Sequence, residues 1–343
     1  MNLFKNKAEK QTEKEKVEAR REEVLATGRK FKYPLQWTRY RVVVSTILIA
    51  VVIFAVILVG GWLALYRFGM TDDLLFRVTQ ILPVPVASVD GESVRFSDYL
   101  MLYRSSFTSI ERQSSDQFED ATIDGLRTEY KQSALNEAEG YTFAIKLAKE
   151  LNLTVSDSEI DEEFNRHLSI GGVNRSEESF LKIVNDNFGL SKSEYRRMLY
   201  LNLIKAKISV AIDERANTIA SKVESILSAT NNDYSQVVEQ LGSDIVYEET
   251  GGLVDSKNID GGRATEAMKL EPGGSSGKFI SLNGDGYYFV KLISKTDTEV
   301  NFVSIKIPFT EFSKRFDTLR HDGKIQELIN IRSAEQVEPQ AES

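Results

Sequence analysis

The sequence predicts a mainly α-helical protein with a small α+β domain, tethered by one N-terminal transmembrane helix. Three observations carry this reading. Residues 42–66 hold no charge, apolar residues recur at helical spacings from about 117 to 208, and the texture changes after Asp213 to glycine pairs and short alternating strands. The expected divisions are a basic tail at 1–41, the anchor at 42–66, a connector at 67–83 and a helical domain at 84–212. The α+β domain follows at 213–307, then a C-terminal helix at 308–331 that packs back on the helical domain, and an acidic tail at 332–343 expected to be disordered.

The anchor rests on length and flanks. VVVSTILIAVVIFAVILVGGWLALY has only Ser45 and Thr46 as polar interruptions, and about 20 apolar residues span a bilayer core. Residues 1–41 carry 12 Lys/Arg against 6 Glu, a net of +6, whereas the net charge of the whole chain is −8. Basic residues Arg29, Lys30, Lys32, Arg39 and Arg41 beside the run put the N-terminus in the cytoplasm and the C-terminal portion outside it, with lipid contacted through Val42–Tyr66. Tyr33, Trp37, Tyr40, Trp62 and Tyr66 suit the two interfaces. A cleaved signal peptide would have a shorter apolar run and a small-residue cleavage motif, and a buried soluble helix would have a polar face. Upstream, residues 5–26 are rich in Lys and Glu and read as a solvated helix or disordered tail.

Beyond the connector, VASV and SVRF flank Asp90-Gly91-Glu92, the pattern of a β-hairpin, and Ser97 is placed to cap a helix from Asp98. Leu126, Tyr130, Ala134, Ala138, Tyr141, Ile145 and Ala148 form one apolar stripe. Ser156…Glu159 and Ser191…Glu194 are capping boxes opening helices at 157–168 and 192–208, and a further helix ends near Gly189. In the α+β part, helices at 214–230 and 234–241 precede strands at KFISL, YYFVKLI and VNFVSIKI.

Several chemistries are excluded by what the chain lacks. Without cysteine there are no disulfides or thiolate sites. The two histidines, His167 and His321, lie in separate helical segments and do not form a metal or triad pattern. GGSSGKF at 273–279 departs from a phosphate loop at Pro272 and Phe279, and an acidic body argues against nucleic acid. No cofactor, metal or nucleotide is expected.

Two stretches carry a resemblance. VASVDGESVRFSDYL, followed by LAKELNLTVSDSEIDEEF and LSKSEYRRMLYLNLIKAKI, resembles the N-terminal chaperone domain of the SurA, PpiD and PrsA group of extracytoplasmic foldases. GGLVD, then EAMKLEPGGSSGKFISLNGDGYYFVKL, resembles the C-terminal half of a parvulin-type prolyl isomerase domain. The resemblance spans about residues 84–331. It implies a membrane-anchored, extracytoplasmic, PpiC-type chaperone that holds unfolded or nascent secreted polypeptides. The family's pocket uses two histidines. Here Tyr288 stands at one of those places, Ser304 is the nearest match to the other, and Met268 holds the place of the aromatic pocket residue. The resemblance therefore implies substrate contacts at Met268 and Tyr288 and a peptidyl-prolyl cis-trans isomerase that is weak or inactive. It also places the strand at 300–307 beside 286–293, in the slot of the family's first strand. An active isomerase is the alternative reading, and a non-enzymatic surface receptor or envelope scaffold is the second.

Overall fold

The structure, a computed structural model, describes residues 3–114, 120–169 and 172–331. It divides into two units, Met1–Ala64 and Leu65–Ser343. In the first, α1 runs over Leu3–Trp62 as one helix, so the charged segment near its start is helical. Within the chain, Tyr40–Arg67 is long and apolar enough to cross a membrane, with none of its apolar window buried. Ser45 Oγ and Thr46 Oγ1 both donate to the carbonyl of Val42, at 2.9 and 2.8 Å. The two hydroxyls of the run are thus satisfied within the helix, as an apolar surrounding demands.

The second unit begins with α2 (Asp73–Ile81), then the hairpin β1 (Pro85–Val89) and β2 (Glu92–Arg95). Asp90 and Gly91 take φ of 47° and 87°, so the turn is the primed kind that matches strand twist. Helices α3 (Phe96–Ser114), α4 (Asp120–Glu150), α5 (Asp157–Leu168), α6 (Glu177–Phe188) and α7 (Lys192–Ile212) form a helical lobe. Leu100, Leu135, Leu199, Leu201 and Ile204 are fully buried in its core. Both capping boxes close as expected, and α6 stops at Gly189 with φ 64°. Ser97 is a correction. The helix starts at Phe96, directly from the hairpin, and the buried Ser97 Oγ has no hydrogen-bond partner. Its neighbour Asp98 instead receives Arg197 through Nε and Nη2, at 3.1 and 2.8 Å, tying α3 to α7.

After α7 come α8 (Glu214–Ala229) and α9 (Tyr234–Leu241), then an antiparallel sheet. Its strands are β3 (Val246–Glu249), β4 (Val254–Asp255), β5 (Phe279–Ile280), β6 (Gly286–Lys295) and β7 (Glu299–Pro308). The order is β3-β7-β6-β5, with β4 also on β7, and α10 (Arg263–Met268) lies across it. Alternation along β6 and β7 divides the residues between two apolar clusters. Tyr287, Phe289, Ile305 and Ile307 face α8 and α9, while Val290, Leu292, Val300 and Phe302 face α10. The strands β6 and β7 pair from Gly286↔Pro308 to Lys295↔Val300, including Tyr287↔Ile307. A Cβ at Gly286 would stand 2.5 Å from the carbonyl oxygen of Ile307, so only glycine allows this approach.

The C-terminal segment differs from a helix over 308–331. Helix α11 covers Glu311–His321 and ends at Gly323, whose φ of 70° permits Lys324 N–H to donate to Leu319 O at 2.9 Å. Strand β8 (Ile325–Glu327) follows and pairs antiparallel with β1, giving a sheet β2-β1-β8. Glycine's freedom stops the helix, and the open edge of β1 supplies the hydrogen bonds that the next residues take up. Phe312, Phe316, Leu319 and Ile329 pack on the helical lobe's core. The tail at 332–343 lies outside the described residues.

Candidate functional site

Tyr287 and Tyr288 point to opposite faces of the sheet and have different roles. Tyr287 OH donates to Asn217 Oδ1 at 2.7 Å, and its ring meets Phe309 edge-on at 4.9 Å. It joins β6 to α8. Tyr288 lies on the α10 face, 5% exposed, with Ser304 at 1% nearby on β7. Both meet one guanidinium. Arg263 stands 5.4 Å from the centre of the Tyr288 ring, and its Nη1 donates to Ser304 Oγ at 3.4 Å. Arg263 also bonds Glu248 on β3, whose backbone register lies opposite Ser304. Met268 packs with the α10-facing apolar cluster, as does Phe279, whose ring lies 6.1 Å from that of Tyr288. Tyr288 and Ser304 are thus brought together at Arg263.

Around Tyr288 the surroundings are charged. Its OH donates to Asp285 Oδ2 at 3.2 Å, and Lys306, paired with the same carboxylate, lies 5.7 Å from the ring centre. Burial pushes the Tyr288 hydroxyl up, which keeps it neutral at ordinary pH. Burial also pushes the Asp285 carboxyl up, but Lys306, Ser281 and Tyr288 together outweigh this and hold it below the usual range. Burial pulls Lys306 down, but Asp285 and Tyr288 together outweigh this and hold it above its usual value. The pair stays ionised and the tyrosine stays protonated, so no group here is poised to exchange a proton. Two cations, Arg263 and Lys306, and one aromatic ring, Phe279, surround the Tyr288 ring.

A separate cleft of about 480 Å³ opens between the helical lobe and the sheet domain. Its walls include Leu203 and Ala206 of α7, Leu282 and Asp285 of the turn before β6, and Phe309 and Phe312 around the start of α11. The turn comes close to α7, where a Cβ at Gly284 would be 2.5 Å from Ala206 Cβ. At the α5 rim, Glu163 bonds Arg166 and lies 3.2 Å from His167 Nε2, and His167 Nδ1 bonds Tyr195 OH. Burial raises the Glu163 carboxyl, but bonds to His167 and Arg166 outweigh it and hold the group at about 2. Asp285 belongs to both places, lining the cleft while its Oδ2 serves Lys306 and Tyr288. The lining mixes apolar side chains such as Leu203, Leu282 and Phe312 with polar and charged ones such as Asn202, Lys205 and Asp285.

The two crossings of the chain between these lobes meet at one carboxylate. Asp213 is fully buried. Its Oδ1 accepts from Ala216 N at 2.8 Å, capping α8, and its Oδ2 accepts from Thr310 N at 2.6 Å and Glu311 N at 3.0 Å, at the start of α11. An Asp before ERAN is a legible helix cap, but its bond to the returning strand is not. Arg263, Asp285 and Lys306 carry no motif either, since each has meaning only through partners distant in sequence. Among the described residues, no group of three or more His, Cys, Asp and Glu could hold a metal ion.

A helical lobe opened by a hairpin, carrying an α+β domain inserted between α7 and α11, has the layout expected of the chaperone part of an extracytoplasmic foldase. Residues 35–209, just over half of the 343, match the family model for the SurA-like N-terminal domain, and the chain belongs to that family. The match supports a chaperone-like foldase. It runs through the long apolar helix and the helical lobe and stops before Asp213, so it does not include the sheet domain. No curated protein matches the chain.

Proposed function

We propose that this protein is a single-pass membrane chaperone, with its N-terminus in the cytoplasm, that holds unfolded or newly secreted polypeptide outside the cytoplasm. The observation that carries the proposal is the SurA-like match, continuous from the membrane-spanning run into the helical lobe. The basic flank of that run supports the orientation. The cleft between the lobes is where a client segment is gripped, by the apolar side chains in its lining and by backbone contacts, without nucleotide. Binding of this kind is weak per unit area and tolerant of sequence.

Residues 84–212 form the chaperone domain, 213–307 a parvulin-like domain and 308–331 the segment that closes the chaperone core. The pairing of β7 along β6 supports the reading that 300–307 occupies the slot of the family's first strand. The parvulin-like domain is weak or inactive as an isomerase in this reading, which the two cations Arg263 and Lys306 beside Tyr288 support.

The test uses full-length protein in lipid nanodiscs, with denatured, unrelated client proteins and a set of X-Pro peptides. Client aggregation is expected to be suppressed near stoichiometric ratios, while the X-Pro exchange, which takes tens of seconds or more uncatalysed, is expected to be unchanged. No protection of any unrelated client would refute the chaperone reading and favour a receptor or scaffold. Acceleration that Tyr288→Ala abolishes would refute the inactive pocket.

A further inference from the structure

The short helix after the span, α2, has two unlike faces. Phe76 and Thr79 are buried against the helical lobe, at 2% and 1% exposure, and Leu75 is half-buried with them. The opposite face carries Leu74, Val78 and Ile81, spaced by four and three residues on one stripe, at 71%, 39% and 82% exposure. Leu82 continues it and Phe68 and Met70 precede it, all exposed, while Arg77 flanks the stripe.

This face is held outward by bonds at both ends of the helix. Asp73 pairs with Arg104 at 3.1 Å, and Arg104 also stands 4.7 Å from the centre of the Phe76 ring. At the other end Gln80 Nε2 donates to Glu194 Oε1 at 2.9 Å. Turning α2 to hide the stripe would break both connections and expose Phe76.

The chain itself limits where this face can be. Only residues 68–72 separate the end of the span at Arg67 from α2. Even fully extended they reach roughly 20 Å, so the stripe stays within reach of the headgroup region. A helix with one apolar face, a flanking arginine and enforced closeness to a bilayer has the features of an interfacial helix.

We propose that Leu74, Val78 and Ile81, with Phe68 and Met70, dock into the lipid interface of the leaflet next to the helical lobe. The docked helix gives the lobe a second attachment to the membrane and a defined orientation on it. The inference rests on the anchor reading above, and the test separates the two. The chain has no cysteine, so single cysteines can be placed at will. Leu74→Cys, Ile81→Cys, Ile53→Cys in the span and Ile293→Cys on the sheet domain are each spin-labelled in the full chain, in phosphatidylcholine–phosphatidylglycerol vesicles. All four residues are exposed in the structure, so labelling leaves the packing intact.

Collision rates with oxygen, which concentrates in lipid, and with a water-soluble nickel complex then report the surroundings. Labels at 74 and 81 are expected to favour oxygen, as at 53, while the label at 293 favours nickel. Labels at 74 and 81 that favour nickel, with 53 still favouring oxygen, would overturn the docking and leave the anchor standing. Low rates for both reagents at 74 and 81 would overturn it in favour of a protein partner. Nickel access at 53 would overturn anchor and docking together.

Discussion

Replacing Glu139 by Gln should remove a pH dependence from the stability of the helical lobe. Glu139 lies on α4, fully buried, with Arg320 Nη2 of α11 donating to its Oε2 at 2.7 Å and no partner for Oε1. Arg320 Nη1 also donates to Asn136 Oδ1 at 3.1 Å, and Glu327 of β8 adds a like charge nearby. Burial pushes the Glu139 carboxyl up from 4.5 to about 7, with Glu327 adding to the rise and Arg320 opposing it. A carboxyl bound more tightly to its proton in the folded chain stabilises the fold fully below about 4.5. That contribution is lost as pH rises through about 7. At about 1.4 kcal/mol per tenfold in proton affinity, the whole contribution is about 3 kcal/mol, of which about 2.5 kcal/mol is lost between pH 5 and pH 8.

Gln keeps an acceptor for Arg320 and offers no proton to lose. Urea unfolding of the full chain in detergent micelles, followed by circular dichroism from pH 5 to pH 8, should show stability falling with pH in the wild type relative to Glu139→Gln. A carbon-13 titration of the Glu139 carboxyl should have its midpoint near 7. Parallel stability curves, or a midpoint at the ordinary carboxylate value, would refute the reasoning.

Two further outcomes follow from the joints of the fold. Asp213→Ala removes the cap of α8 and the acceptor for Thr310 and Glu311 together, and should destabilise the fold by about 2–4 kcal/mol. Amides in the first turns of α8 and α11 should both lose protection from exchange, and a loss confined to α8 would show that the second bond does not hold. Gly286→Ala sets a Cβ against the Ile307 carbonyl, which cannot rotate away, and should cost about 1–3 kcal/mol. Gly277→Ala, with open space around the added atom, is the control and should unfold at the wild-type urea concentration.

Much of the fold is legible in the sequence because its causes are local. The long apolar helix follows from an uncharged run whose hydroxyls bond their own helix, and the capping boxes at Ser156 and Ser191 follow from atoms three residues apart. The hairpin at Asp90-Gly91 needs only two residues able to adopt positive φ. In each case the residues that set the conformation also supply the hydrogen bonds. Ser97 fails as a cap even though its neighbours suit one, because the hairpin delivers the chain already helical at Phe96.

What the tertiary structure alone decided lies in contacts made at a distance. Ile325–Glu327 has neither the length nor the alternation of a strand and becomes one on finding the edge of β1. Asp213 reads as the start of a helix, and only folding brings Thr310 and Glu311, 97 and 98 residues away, to its other oxygen. Tyr288 can be aligned with a family histidine by counting along GDGYYFVKL. That Arg263 and Lys306 stand beside its ring depends on α10 and β7 arriving over the same face of the sheet. Helices and turns form from bonds between near neighbours and leave a trace in the order of residues. A shared carboxylate, a strand's partner and the cations beside a buried ring are set by where separate elements meet, which no short stretch of the chain specifies.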